Sequence, residues 1–109
     1  LAPFAGLQLL DLWHTRITDA GLKRLAGLKN LTTLNLEDNH LTDAGVANLI
    51  GLDRLETLNL KQNSLTNAAV ASLAKLKALK SLDISLTEID DDGAEELQNA
   101  LPACKIKLE

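Results

Sequence analysis

The chain repeats one phrase with a fixed period of 24 residues, opened in turn by Leu7, Leu31, Leu55 and Leu79. The phrase is L-x-x-L-x-L-x-x-(N/T)-x-(I/L). A fixed period in this range marks supersecondary units stacked side by side, each burying its apolar face against the next. The second apolar column is Leu10, Leu34, Leu58, Leu82 and then Ile106; the third is Leu12, Leu36, Leu60, Ile84 and then Leu108. A polar column follows at Thr15, Asn39, Asn63 and Thr87, then another apolar one at Ile17, Leu41, Leu65 and Ile89.

The two halves of each unit carry different periodicities. Leu10-Asp11-Leu12 and its equivalents alternate apolar and polar, as a strand with one buried face does. Leu22, Leu25 and Leu28 are spaced three apart, as are Val46, Leu49, Leu52 and Val70, Leu73, Leu76, which keeps one helical stripe on one side. The phrase Thr-Asp-Ala-Gly at 18–21 and 42–45 separates the halves, and becomes Thr66-Asn67-Ala68-Ala69 and Asp90-Asp91-Asp92-Gly93 later. Each version offers a side-chain oxygen to cap a helix of roughly ten residues, with Thr18 or Asp19 as the first cap.

Neither half is stable alone in water, so stability comes from burial between neighbouring units. Parallel strands about 4.8 Å apart form one sheet, with helices in a row on the other side. The Asn39 and Asn63 amides are placed to bond turn backbone that the sheet leaves unpaired. The expected organisation is a single domain over 1–109: a partial unit 1–6, repeats 7–30, 31–54, 55–78 and 79–102, and a closing strand 103–109. Leu1 and Phe4 lie 24 residues before Leu25 and Leu28, so the chain reads as starting inside the helix of a preceding unit. Leu97 and Leu101 extend the last helical stripe, Pro102 stops it, and Lys105 and Lys107 face outward from the last strand, where charge discourages pairing with another chain.

The phrases LTTLNLEDNHLTDAGVANLIGL (31–52) and LETLNLKQNSLTNAAVASLAKL (55–76) resemble the leucine-rich repeat family at nearly every consensus position, and the resemblance covers the chain from about residue 7 onward. It implies an α/β solenoid with a short parallel sheet on the concave side and short α-helices on the convex side. The Thr-Asp-Ala-Gly half looks like the helical subclass found in many bacterial repeat proteins and in F-box-associated repeats. The cysteine that marks the F-box subclass is replaced by Thr or Asn, so its link to ubiquitin ligases does not carry over. The ending LQNALPACKI (97–106) is similar to the closing unit of large bacterial, planctomycete-like repeat proteins.

On the sheet face, residues alternating with the buried leucines form rows: Leu9-Asp11-Trp13, Thr33-Asn35-Glu37, Thr57-Asn59-Lys61 and Ser81-Asp83-Ser85. Leu9 and Trp13 place two large apolar groups on a surface otherwise small and polar, and Trp is the residue most enriched at interface anchors. The candidate partner-binding set is therefore Leu9, Asp11, Trp13, Asn35, Glu37, Asn59, Lys61 and Asp83, with a protein as the expected partner. The column Asp11, Asn35, Asn59, Asp83, flanked by Glu37 and Asp38, lacks the loop spacing of a calcium motif, and His14 with Asp38 supplies too few ligands for zinc. The acidic run from Glu88 to Glu96 is explained locally by the start of the last helix, where negative charge is favoured. Lys23, Arg24 and Lys29 make the first helix basic instead.

Other functions find little support. A net charge of −4 and a pI near 5.1 give no electrostatic footprint for nucleic acid. No apolar run reaches the length of a membrane span. No nucleophile motif, phosphate loop or metal-spaced cluster is present, so no catalytic residue, metal or cofactor is expected. Cys104 is the single cysteine and makes no internal disulfide, consistent with a reducing, cytoplasmic compartment without requiring one. The alternative to partner binding is a segment of a longer array that self-associates through its N-terminal edge, using Leu1, Phe4 and Leu9.

Overall fold

A computed structural model of the chain describes residues 6–109. Five three-residue strands, β1 (Leu9–Asp11), β2 (Thr33–Asn35), β3 (Thr57–Asn59), β4 (Ser81–Asp83) and β5 (Lys105–Lys107), form one parallel sheet in chain order. Every pairing joins residues one period apart: Leu10 faces Leu34, Leu34 faces Leu58, Leu58 faces Leu82 and Leu82 faces Ile106. The architecture is the expected α/β repeat solenoid. The sequence period is thus the register of the sheet itself.

The return path is less regular than expected. In place of uniform ten-residue helices, α1 (Asp19–Leu25) has 7 residues, α2 (Asp43–Val46) has 4 and runs on into a 3₁₀ turn, α3 (Val70–Leu73) has 4 preceded by a 3₁₀ turn at Asn67–Ala69, and only α4 (Asp91–Ala100) reaches 10. The stripes Leu22/Leu25/Leu28, Val46/Leu49/Leu52, Val70/Leu73/Leu76 and Leu97/Leu101 are nonetheless all buried. One or two turns suffice to present three apolar side chains when packing, rather than helix propensity, stabilises the segment.

The core is continuous through the interior units. Leu31, Leu34, Leu36 and Leu41 are fully or almost fully buried, as are Leu55, Leu58, Leu60 and Leu65. At the ends, Leu7, Leu10, Leu12 and Ile17, and likewise Ile106 and Leu108, are only partly covered. Each interior leucine removed from water contributes about 2 kcal/mol, so a terminal unit gains less from the same residues. Leu1 and Phe4, assigned above to a preceding helix, lie outside the described residues. At the C-terminal end, Gln98 Nε2 donates to the carbonyls of Leu101 (3.0 Å) and Cys104 (2.9 Å), fastening the close of α4 to the chain entering β5.

Two polar ladders run beside the leucine columns. In the first, the Asn39 carbonyl oxygen accepts from Thr15 N–H (2.9 Å) and Arg16 N–H (2.8 Å) of the preceding unit, while its amide donates to Leu12 O (2.8 Å) and Leu36 O (3.1 Å). Asn63 repeats this one unit on, accepting from Asn39 N–H (3.0 Å) and Leu41 N–H (2.9 Å) and donating to Leu36 O (2.9 Å) and Leu60 O (3.1 Å). Both amides are buried and saturated. The asparagine column thereby satisfies turn backbone that no strand reaches.

The second ladder changes the reading of the Thr-Asp-Ala-Gly phrase. Thr18 caps α1, accepting from Gly21 N–H at 3.2 Å, but Thr42 makes no such cap bond. Its N–H and hydroxyl instead grip the two oxygens of Asp19 from the unit before (3.0 and 2.5 Å), and Thr66 holds Asp43 in the same way (2.8 and 2.5 Å). At the last junction the partners change: Asn67 Oδ1 accepts from Asp90 N–H (3.1 Å) and its amide donates to the Asp90 carboxylate (2.9 Å). An amide there supplies the donor that a second carboxylate would lack. Glycine is required alongside, because a Cβ on Gly45 would stand 2.1 Å from Asp19 Oδ1 and one on Gly93 2.2 Å from Asn67 Oδ1. At the equivalent Ala69 the helical segment instead begins with a 3₁₀ turn.

Asn63→Ala is expected to lower stability by about 2–4 kcal/mol in urea titration, because several buried turn groups lose their partner at once. Asp90 carries a second prediction. Its carboxylate accepts from Gly93 N–H and Asn67, which hold its pKa below the ordinary aspartate value. Stability from this cap is present in full above about pH 3.9, the free-aspartate value, and is lost as pH falls through the lowered native value. Asp90→Asn should keep the cap and flatten this part of the acid dependence, read as thermal melting temperature between pH 2 and 5.

Candidate functional site

The sheet face presents the first three of the expected rows, with a correction in the fourth. Leu9 and Trp13 are 61% and 57% exposed, and Asp11 is also exposed. Asn35, Glu37, Asn59, Lys61 and Asp83 are half-buried. Ser85, expected to face outward, is buried: its hydroxyl donates to Asp83 Oδ1 at 2.5 Å and its carbonyl accepts from Gln62 N–H at 3.0 Å. A side chain this short folds back onto its own turn.

The polar column proves to be turn chemistry. Asp11 Oδ1 accepts from Trp13 N–H (3.0 Å), Asn35 Oδ1 from Glu37 N–H (3.0 Å), Asn59 Oδ1 from Lys61 N–H (3.0 Å) and Asp83 Oδ1 from Ser85 N–H (2.9 Å). Each side chain bonds the backbone two residues on, the Asx-turn that ends a strand. Asn59 Nδ2 further donates to Glu37 Oε1 at 3.0 Å. These four side chains hold their own turns, so the members of the expected set that make no such turn bond are Leu9, Trp13, Glu37 and Lys61.

After each Asx turn the chain enters the left-handed region. His14, Asp38, Gln62 and Leu86, spaced one period apart, have φ of 50°, 61°, 63° and 55°. The first three use this conformation to send their N–H to the next unit's turn carbonyl: His14 to Glu37 O (2.9 Å), Asp38 to Lys61 O (3.0 Å), Gln62 to Ser85 O (3.0 Å). His14 Nδ1 also lies 2.8 Å from Asp38 Oδ2, and its ring sits 5.9 Å from that of Trp13, tilted by 44°. The imidazole thus lies beside the indole at an angle and leaves more than half of Trp13 exposed.

Leu86 stands outside the expected site residues. It adopts the same left-handed turn and is 66% exposed, a leucine in a conformation that Asn, Asp or Gly adopts at less cost. The signal was available as the one apolar member of the column His14, Asp38, Gln62, Leu86. A cleft of about 640 Å³ beside the first turn was also missed; it is lined by His14, Arg16, Ile17, Thr18, Asp38 and His40 among others. Its carboxylates are already engaged, Asp38 with His14 and Asp19 with Thr42. Among the described residues no group of three or more His, Cys, Asp or Glu side chains is placed to hold a metal ion, and no helix is long and apolar enough to cross a membrane.

A strand and Asx turn repeated in all four units, with an asparagine ladder through the two interior ones, is the construction of a leucine-rich repeat. The family model for the leucine rich repeat matches residues 5–65 and again 29–89. The chain belongs to the leucine-rich repeat family. No curated protein matches it significantly. Among solved structures, a chain from the structure of the Chaetomium Mex67:Mtr2 subunits is similar, with a TM-score of 0.72 and 21% identity over 91% of this chain and 78% of that one. At that identity the likeness is one of fold.

Relieving the left-handed leucine is expected to stabilise the protein: Leu86→Asn or Leu86→Gly should raise the unfolding free energy by about 1 kcal/mol in chemical denaturation. No gain in either variant would show that Leu86 is not strained.

Proposed function

We propose that this chain is a non-catalytic protein-interaction module that binds a partner protein through its sheet face. The observation that carries the reading is the first rung, where Leu9 and Trp13 are both more than half exposed beside small and polar neighbours. Strands about 4.8 Å apart backed by bulkier helical segments bend a stack toward the sheet, which makes this face the concave one. Membership of a family that is generally non-catalytic agrees with this, as does the rigid seating of the face on two polar ladders. Rigid presentation limits the ordering cost of binding.

Truncating the anchor tests it. Trp13→Ala should weaken a partner recovered by pull-down about 10- to 30-fold, the range of an interface hot spot, as measured by titration calorimetry, with the melting temperature unchanged. Equal affinity of wild type and variant would remove Trp13 as the anchor.

A second reading is favoured by the N-terminal edge, which we propose as a self-association surface of an array segment. Among the described residues β1 pairs with β2 alone, Leu10, Leu12 and Ile17 are partly covered, and Thr18 has no carboxylate of the kind that grips Thr42 and Thr66. Sedimentation at rising protein concentration should then show a dimer; a monomer at the highest concentration would sink the idea.

A further inference from the structure

The sheet face is small for a globular partner. Five strands about 4.8 Å apart span about 19 Å, and rows five residues long, from Leu9 to Trp13 on the first, give it a width of about 16 Å. A stable interface between folded proteins takes about 800 Å² from each partner. The strip is of the order of 300 Å², and its length accommodates about six residues of extended chain at roughly 3.3 Å each.

Charge along the strip is uneven. At the β1–β2 end, Leu9 and Trp13 are flanked by Asp11 and Glu37, with Asp38 beyond them already paired to His14. Only Oδ1 of Asp11 is taken by the turn. Glu37 follows the rung of Trp13, since the adjacent His14 N–H reaches the Glu37 carbonyl at 2.9 Å. At the far end, Lys105 and Lys107 are both exposed on β5 and stand opposite Ser81 and Asp83. The acids there are Glu109 and Asp83, whose Oδ1 receives the Ser85 N–H and hydroxyl. Lys61 lies between the two ends.

We propose that the strip binds an extended, mixed-charge peptide segment of a partner protein, with an arginine or lysine seated on Leu9 and Trp13 beside Asp11 and Glu37 and an acidic side chain toward Lys105 and Lys107. This rests on the sheet-face reading and names its ligand. The aliphatic stem of the basic residue covers the two apolar groups, its cation meets the indole face, and the outer carboxylate oxygens complete the pairing. Four strand spacings separate the ends, so the acidic residue stands about five positions from the basic one.

Trp13 is the chain's single tryptophan, so its emission reports the site directly. The probe is a positional-scanning library of acetylated, amidated hexapeptides titrated against the intact chain. The best binders are expected to carry Arg or Lys near one end and Asp or Glu near the other, and exchanging the two charges within one peptide should weaken binding at least tenfold. Asp11→Lys/Glu37→Lys should reverse that preference; Lys105→Glu/Lys107→Glu provides the same reversal from the opposite end should the first variant fold poorly. A library that selects no charge, or peptides that leave Trp13 emission unchanged, would overturn the proposal. If a partner protein still loses affinity with Trp13→Ala while the hexapeptides show no charge preference, the peptide chemistry is wrong and the sheet-face reading stands. If Trp13→Ala changes nothing, the sheet-face reading itself fails.

Discussion

Everything in this molecule hangs on the buried amides of Asn39 and Asn63. A strand of three residues must turn at once toward the helical side, and the turn leaves N–H and C=O groups inside the stack with no strand beside them. Each asparagine accepts from two of these N–H groups and donates to carbonyls of its own unit and the one before. Without that cross-connection the leucine columns would pack against one another at the cost of stranded backbone polar groups, which outweighs much of what a few apolar contacts return. Apolar packing makes the stack favourable; the amides make the turn possible.

The register of the strands was legible, because a period-two pattern repeated at one fixed spacing leaves it no freedom. Their bounds came out shifted: Leu9–Asp11 where the alternation of Leu10-Asp11-Leu12 was read, and Lys105–Lys107 within the closing segment 103–109. The asparagine role was legible too, as a polar residue in a column otherwise surrounded by leucine. The helical side was not. Val46 and Val70 head stripes identical in spacing to that of Leu22, yet their segments split between α and 3₁₀ turns, a choice made by packing rather than by local preference. Thr42 reads locally as a helix cap, but Asp19, 23 residues earlier, takes both of its donors. Contacts between units compete with contacts within them, and only the former are invisible to a single phrase.

The same competition reshapes the sheet face. Alternation placed Asp11, Asn35, Asn59 and Asp83 outward, and all four do lie at the surface of the sheet, but each turns a side-chain oxygen back to the chain two residues ahead. Their uniform identity as Asp or Asn reflects the turn. What varies from rung to rung is the residue that the turn holds up: Trp13, Glu37, Lys61, then Ser85, which is buried. A constant frame therefore carries a changing set of chemical groups, the arrangement through which a repeat scaffold acquires a specific surface.

The junction between Asn67 and Asp90 gives the units an order. At the two earlier junctions an aspartate meets a threonine, so those pieces are interchangeable at that contact. The helix of the fourth unit is capped by Asp90, which is matched by the amide of the third. Were a duplicate of the second unit inserted before the fourth, Asp43 would face Asp90 and two carboxylates would share a site suited to one. A copy of the second unit is thus accepted at that place only with a paired change of residue, whereas a copy of the third carries the matching amide with it.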